Sequence, residues 1–487
     1  MREDWIEVEF NDVLEIVSGK NQKQVLSEEG QYPIYGSGGI IGRAKNYLCE
    51  EGTTIIGRKG TINSPIYVNK QFWNVDTAFG LSPFPFLEKR LLFFFSIYFN
   101  FKKLDKSTTI PSLAKRDLLK IKFPLSPLPE QRAIVAKIEE LFSDLDKGIA
   151  DLKKAQDQLV IFRQAVLKKA FEGELTKEWR AQQTDLPTAD ELLEQIKEER
   201  QKHYQQLLEN WKEALKSWVE NGKDEKKPST PSKYKLFNSP VRPLNLSLPQ
   251  NWFFDCVGNT CSKTEYGSSS KSSTSGDIPV LRMGNMQDGK IDWGDLKYSS
   301  DAEEIKQYFL NEGDVLFNRT NSPELVGKTV QYKGEQPAIF AGYLIRLNQI
   351  DNIISGAYLN HFLNSHSAKV YGSFVKTDGV NQSNINGDKL SNYPIPICAL
   401  EEQHQIVQEI EFRLSVCDKV EQSITESLEK AKALRQSILK KAFEGTLLSE
   451  EEIKACKAAS DYEPANVLLE RIKEEKNFST VNKLKKI

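Results

Sequence analysis

Two stretches of the chain place an apolar or small residue at alternating steps of four and three. In the first they are Ile134, Ile138, Leu141, Leu145, Gly148, Leu152, Ala155, Leu159, Phe162 and Val166. In the second they are Ile406, Ile410, Cys417, Val420, Ile424, Ala431, Leu434 and Ile438. Arg413 and Ser427 interrupt that second set, with Leu414 and Leu428 beside them. Such spacing, sustained over about four heptads, draws one narrow stripe on an α-helix, the seam of a coiled coil. The stripe needs a partner, and the other copy is the obvious candidate.

The two stretches are a repeat. Residues 128–176, LPEQRAIVAKIEELFS…LKKAFEGELT, recur without a gap as residues 400–448, LEEQHQIVQEIEFRLS…LKKAFEGTLL. Pro129 suits a first helical turn. Lys168 and Lys169, and again Lys440 and Lys441, complement a helix C-terminus, with Gly173 and Gly445 as C′ residues. About 40 residues at 1.5 Å each predict rods of roughly 60 Å. A weaker echo follows each rod, ADELLEQIKEER at 189–200 and PANVLLERIKEEK at 464–476. The first echo continues as a charged helix to about Glu220, then a polar stretch at 221–235 reads as a mobile linker.

The segments before each rod read differently. Thr53–Gly57 and Ser64–Val68 pattern as strands, and Lys89–Leu104 as a helix. In the second segment, IPVLRM at 278–283, GDVLFNR at 313–319 and YLIRL at 343–347 pattern as strands, and Ile354–Tyr371 as one helix. EGTTIIGRKG at 51–60 and EGDVLFNRTN at 312–321 share a Glu-Gly, strand, Arg order. The two globules are therefore expected to be one α+β fold with divergent surfaces. The expected divisions are 1–127, the long helix 128–176, an extension and linker 177–237, 238–397, the second helix 398–448 and a C-terminal extension 449–487.

Composition narrows the chemistry. The net charge is -2, so any nucleic-acid surface must be local. Six scattered cysteines read as reduced thiols rather than disulfides or a zinc site. The acidic start MREDWIEVEF lacks the apolar core of a signal peptide, and LLFFFSIYF at 91–99 is too short to span a bilayer. A cytoplasmic protein is expected. Catalytic signatures are missing. VGKT at 326–329 is not a phosphate loop, because its first glycine position is Ser322. NSPIY at 63–67 lacks the second proline of an amino-methyltransferase motif, no GxGxxG opens a strand–helix unit, and Glu304-Ile305-Lys306 reads as a charged helix. The four histidines are dispersed.

Candidate binding chemistry lies in loops. GRKG at 57–60 sets Arg58 and Lys59 on a glycine-flanked turn after a strand, able to approach a phosphate or a guanine edge. GSGGIIGRAK at 36–45 carries Arg43 and Lys45. In the second globule NRTNSPELVGK at 318–328 gathers Arg319, Asn321, Ser322 and Lys328, and Arg and Asn are the side chains that make bidentate base contacts. Lys271 lies in the hydroxyl-rich YGSSSKSSTSG loop at 266–276, and Arg282 ends a strand. In TDGVNQSNINGDK at 377–389, Gln382 and Asn384 can read bases or the segment can cap the next element, the latter slightly favoured.

These strings resemble the specificity (S) subunit of type I restriction–modification enzymes over almost the whole chain. The most specific marks are the LPEQRAIV and LEEQHQIV helix starts and the two copies of LKKAFEG, joined by IIGRKGTI, FNRTNSPELVGKT and DGVNQSNIN. The resemblance implies two target-recognition domains separated by an antiparallel coiled coil. It implies an asymmetric, bipartite double-stranded DNA site and a non-catalytic chain. It also implies assembly with two methyltransferase (M) subunits and optionally with translocase–nuclease (R) subunits. S-adenosylmethionine, ATP and magnesium would belong to those partners, and this chain would bind no cofactor. Rods of this length correspond to at most roughly 18 base pairs. The extension at 177–237 outruns its counterpart at 449–487, so the repeat is expected to break there. The alternative is a non-DNA scaffold, two ligand-binding globules on a coiled-coil ruler.

Overall fold

The computed structural model describes residues 2–223, 227–237, 244–287 and 289–484, with side chains described as far as residue 477. Part of the expected linker (224–226), the expected start of the second globule (238–243) and residues 485–487 lie outside them. The chain forms two compact units, Met1–Lys154 with Ser423–Ile487, and Ala155–Gln422. The long helices, Leu128–Phe171 and Leu400–Glu444, each contribute one part to either unit.

In the first unit an antiparallel sheet runs in the order Leu14–Ser18, Ala78–Pro83, Thr53–Gly57, Ile66–Val68. The β-branched TTIIG strand is buried along its whole length, as an inner strand demands. A second sheet orders Gly39–Ala44, Tyr32–Gly36 and Trp73–Asn74, its last pair parallel. Ile6–Glu9 pairs with Lys122–Leu125, which leads into the long helix. The apolar run at 91–99 lies largely in the helix Lys89–Tyr98, where Phe95 packs edge-on against Phe123 and Phe443 at 4.9 and 5.2 Å.

The second unit repeats this order strand for strand. Its sheets are Cys261–Tyr266, Leu344–Gln349, Val315–Asn318, Thr329–Gln331, and Lys297–Ser299, Ile278–Leu281, Ile339–Phe340, the last pair again parallel. Phe253–Cys256 pairs with Pro394–Ile397 before the second long helix. The expected helix over 354–371 is instead two, Gly356–Leu363 and His366–Val375. Ser365 breaks it, because its hydroxyl accepts from the Ala368 amide and starts a new helix.

The same lock fastens each long helix to its globule. Glu130 Oε2 accepts from Trp5 Nε1 at 2.9 Å and Arg2 Nη1 at 3.1 Å. Glu402 accepts from Trp252 Nε1 at 2.9 Å, Thr176 Oγ1 at 2.8 Å and Arg180 Nε at 2.7 Å. Gln131 and Gln403 each bind a backbone amide and two carbonyls of the adjoining loops. All four side chains are fully buried, so the EQ pair is a structural bolt. Gly173 and Gly445 end the helices at φ 71° and 77°, a left-handed C′ conformation.

The extensions dock alike in their first turns. Leu192 and Ile196 are buried in the second unit, Leu468 and Ile472 in the first. Arg200 donates to the Gly258 and Asn259 carbonyls, and Lys476 to the carbonyl of Asn11 at the matching short helix. Beyond that the two differ, since the first extension helix continues to Glu220. The described end of the expected mobile linker packs back on this helix. Tyr234 lies under Arg200 at 5.2 Å, and Trp211 donates to the Pro228 carbonyl.

Within each unit the long helices run antiparallel. In the first, Asp146 pairs with Arg435, and Lys137 with Glu452 on the short helix just past the second rod. In the second, Arg163 pairs with Asp418 and Glu421 at 2.8 and 2.9 Å, and Arg180, on the short helix just past the first rod, with Glu402. Most of the expected seam is covered. Ile134, Ile138, Val166, Ile406, Ile410, Cys417, Ile424 and Ile438 are buried, and Leu141, Leu145, Leu152, Ala155, Leu159 and Ala431 half-buried. Four positions are corrected: Val420, Leu434 and Phe162 are 42%, 49% and 49% exposed, and Gly148 is exposed too. After Gly148, Phe162 and Leu434 the next residue is turned inward instead, namely Ile149, Arg163 and Arg435, all half-buried. Residues three and four beyond an anchor flank it on opposite sides of a helix. The chain is apolar on both flanks, and the inward arginines decide: Arg163 takes its two carboxylates, and Arg435 lies 4.6 Å over Phe142.

A buried ion network stiffens the second unit. Arg346, 7% exposed, donates to Glu265 and to Asp314, the latter at 3.0 Å. Burial raises the Glu265 pKa, but the Arg346 bonds outweigh it and leave it lowered. Its contribution is therefore fully present above the ordinary glutamate range and lost as pH falls below that range through the lowered folded value. Thermal melts should show Glu265→Gln less stable than the parent at pH 7, with the difference shrinking toward pH 3. An equal gap at both pH values would show that the pair adds nothing to stability through its charge.

Candidate nucleic-acid interface

Antiparallel register brings the loops after one pair of strands and before another to a single end of each four-stranded sheet. In the first unit Gly57 opposes Ala78 and Ser18 opposes Phe79. Arg58 follows directly. Its amide donates to the Thr77 carbonyl, Nη1 donates to the Asp76 carbonyl at 3.2 Å, and its guanidinium lies 5.8 Å from the Phe79 ring. Lys59 is exposed, and Gly60 turns at φ 82° beside Ser37 of the Gly-rich hairpin. The loop at 105–112 closes against this turn, with Leu113 donating to the Arg58 carbonyl. Asp105 pins that loop by accepting from the Ser107 hydroxyl and from the Ser112 and Ser107 amides, which lowers its pKa in that order.

The second unit builds the same end from other residues. Asn318 opposes Leu344, and the Arg319 amide donates to the Tyr343 carbonyl. Arg319 Nη1 donates to the Gly342 carbonyl at 3.2 Å, and its guanidinium sits 4.7 Å over the Tyr266 ring. Ile385 donates to the Arg319 carbonyl, as Leu113 does to that of Arg58. Asp378 fastens the facing hairpin through the Ser383 hydroxyl and Lys376, which lower its pKa.

The structure gathers most candidates of the second globule here. Thr320–Asn321 pairs with Ser383–Asn384, and Asn384 Nδ2 donates to Thr320 Oγ1 at 2.8 Å. Asn321 Oδ1 accepts from the Ser322 amide, and Gln382 is exposed at the hairpin. The capping role in this segment falls to Asn386, which accepts from the Lys389 amide. Lys271 is exposed in the loop that leaves the sheet at Tyr266. Arg282 is held by Asp295, and Lys328 by Gln287 at 2.9 Å. Arg43 and Lys45 do not join Arg58. They lie at the far end of their hairpin from its Ser37–Gly38 turn, where Arg43 Nε donates to the Gly30 carbonyl and the Lys45 amide to that of Val25. Sequence reasoning passed over Tyr266 and Tyr343, 41% and 49% exposed beside Arg319, although Tyr266, an aromatic ending a strand before a glycine, was a readable sign.

The six thiols are free and buried, and burial pushes Cys49 and Cys261 up to about 12 and Cys256 to about 11. Glu304 is engaged by the Ser268 and Ser299 hydroxyls. Among the described residues no group of three or more His, Cys, Asp or Glu is placed to hold a metal, and no helix is long and apolar enough to cross a membrane.

The comparisons agree with this architecture. The chain is 25% identical over 481 residues to the type I restriction enzyme EcoDI specificity subunit of Escherichia coli, covering 98% of this chain and 96% of that one. It is 26% identical over 394 residues to the EcoKI specificity subunit of Escherichia coli strain K12, covering 79% and 70%. A solved chain from work on complex assembly and conformational transition of the type I R-M system shares the fold at a TM-score of 0.63 and 17% identity, covering 92% of this chain and 99% of that one. The family profile described as type I restriction modification DNA specificity domain matches residues 2–154 and 254–430, well over half of the sequence. By that match, and by two globules of one topology each bolted to a long helix through a buried Glu-Gln pair, the chain belongs to the type I restriction–modification DNA specificity family.

Proposed function

We propose that this chain selects the DNA site of a type I restriction–modification complex. It reads an asymmetric, bipartite duplex, one half with each globule, and directs methylation there, and restriction where a nuclease subunit is present. The observation that carries this reading is the matched pair of arginines. Arg58 and Arg319 occupy one register position in two copies of one fold, with unlike residues around them. A constant framework with dissimilar loops suits two different half-sites. The chain itself is non-catalytic in this reading. Two methyltransferase subunits and, optionally, translocase–nuclease subunits are its partners, and S-adenosylmethionine, ATP and magnesium act on them. The bolts at Glu130 and Glu402 would hold each reading globule to its helix while the partner acts.

Methylation mapping by long-read sequencing, with and without this chain, gives the target. Binding to variants of each half-site at several salt concentrations then tests the readers. Arg58→Ala should weaken or relax recognition of one half only, and Arg319→Ala the other. A bidentate base contact predicts a loss of about 1–3 kcal/mol at one base pair. A phosphate contact predicts an even loss across sequences and a salt slope reduced by about one. Should both variants bind and discriminate like the parent, these sheet ends do not face DNA. Binding without salt dependence or sequence preference would favour the scaffold alternative.

A further inference from the structure

We propose that the buried carboxamide of Asn318 is a base-reading group of the second globule, with Arg282 and Arg319 as phosphate-binding groups at the same end of the fold, and that its ligand is one nucleotide of the target duplex. This rests on the DNA reading above and deepens it.

Asn318 ends an inner strand and is 0% exposed. Its backbone is satisfied by Lys328 and Gly327. Its side chain is not: neither Oδ1 nor Nδ2 finds a hydrogen-bond partner among the described residues. Buried carboxamides are almost always paired, because an unpaired one loses its hydration for nothing. At the same turn, Nε of Arg282 and Nε of Arg319 are also buried without a partner among the described residues. The three backbones meet there, with the Asn318 side chain on the Leu316 and Leu344 face of the sheet and that of Arg319 on the opposite face, over Tyr266. Asn318 opposes Leu344, Arg319 bonds the Tyr343 and Gly342 backbone, and Ala341 donates to the carbonyl of Leu281, next to Arg282.

The first globule has no such group. Gly57 holds the matching position, and a Cβ there would lie 2.1 Å from the Thr61 carbonyl oxygen. An amide present in one copy of the fold and sterically barred from the other is suited to setting one half-site alone. Its chemistry narrows the ligand. A carboxamide offers an acceptor and donors side by side, the complement of the adenine N6/N7 edge. The guanidinium groups at the same turn match a phosphate. Arg282 is tied to Asp295, whose side chain is 89% exposed, and so open an ion pair is readily exchanged for a phosphate.

The experiment uses the complex reconstituted with its methyltransferase subunits and a panel of duplexes varied one base pair at a time through both mapped half-sites. Asn318→Leu should fold with an equal or higher melting temperature, since it removes an unpaired amide. It should lose about tenfold or more discrimination at one A·T pair of the second globule's half-site, with the first half-site unchanged. Asn318→Asp, which only accepts, should move preference at that pair toward cytosine. If an ordered water satisfies the amide instead, Asn318→Leu will melt lower with discrimination intact, which overturns the proposal, as does an unchanged preference in Asn318→Asp. Arg319→Ala separates the two levels. If it impairs the half-site while Asn318→Leu does not, only this inference fails. If it too is silent, the DNA reading fails.

Discussion

Replacing Glu402 with alanine should lower the stability of its unit by about 3–5 kcal/mol, the cost of breaking a buried ion pair from one side. The carboxylate is fully buried, and three donors from separate segments converge on it: the Trp252 indole, the Thr176 hydroxyl and the Arg180 guanidinium. Removing it strands a cation whose side chain is only 17% exposed. Arg180 also donates to the carbonyl of Gly173, so the loss reaches the end of one long helix as well as the start of the other. Glu130→Ala should cost less, because among the described residues only Arg2 and Trp5 donate to it and its Oε1 has no partner. Chemical denaturation of both variants gives the order. A loss below about 1 kcal/mol at Glu402 would put the bolt in the range of ordinary surface substitutions and refute the structural account of the EQ pair.

That bolt shows where reading a sequence stops. The EQ pair stood out in the repeated helix starts, but its chemistry did not, because Trp252 and Arg180 are brought to it only by the fold. Local physics was legible. The TTIIG and DVLFN runs became inner strands, Gly173 and Gly445 took left-handed caps, and the arginines after the two strands met matching carbonyls. Orientation was less so. Arg43 and Lys45 lie in the right hairpin, but composition does not say which end of it they occupy. Which globule each extension joins was not legible, because each packs with the globule other than the one immediately before it in sequence. Only docking residues such as Leu468 and Ile472, inconspicuous in a charged tail, carry that information.

The helix phase yields the sharpest contrast between pattern and packing. Ile424→Asp should cost about 4 kcal/mol or more, since Ile424 is 5% exposed and the substitution buries an unpaired carboxylate as well as losing apolar volume. Val420→Asp should stay within about 1 kcal/mol of the parent, because Val420 is 42% exposed and the change leaves its charge in water. The two positions belong to the same apolar stripe of the sequence, four residues apart, and both fit a heptad seam equally well. They part where Arg163 turns inward to Asp418 and Glu421, the residues on either side of Val420. Leu152→Asp, at a half-buried position, should fall between, at about 1–3 kcal/mol. Thermal melts of the three variants read the phase directly. Equal losses at Val420 and Ile424 would return the seam to its apolar positions and turn Arg163 out to solvent.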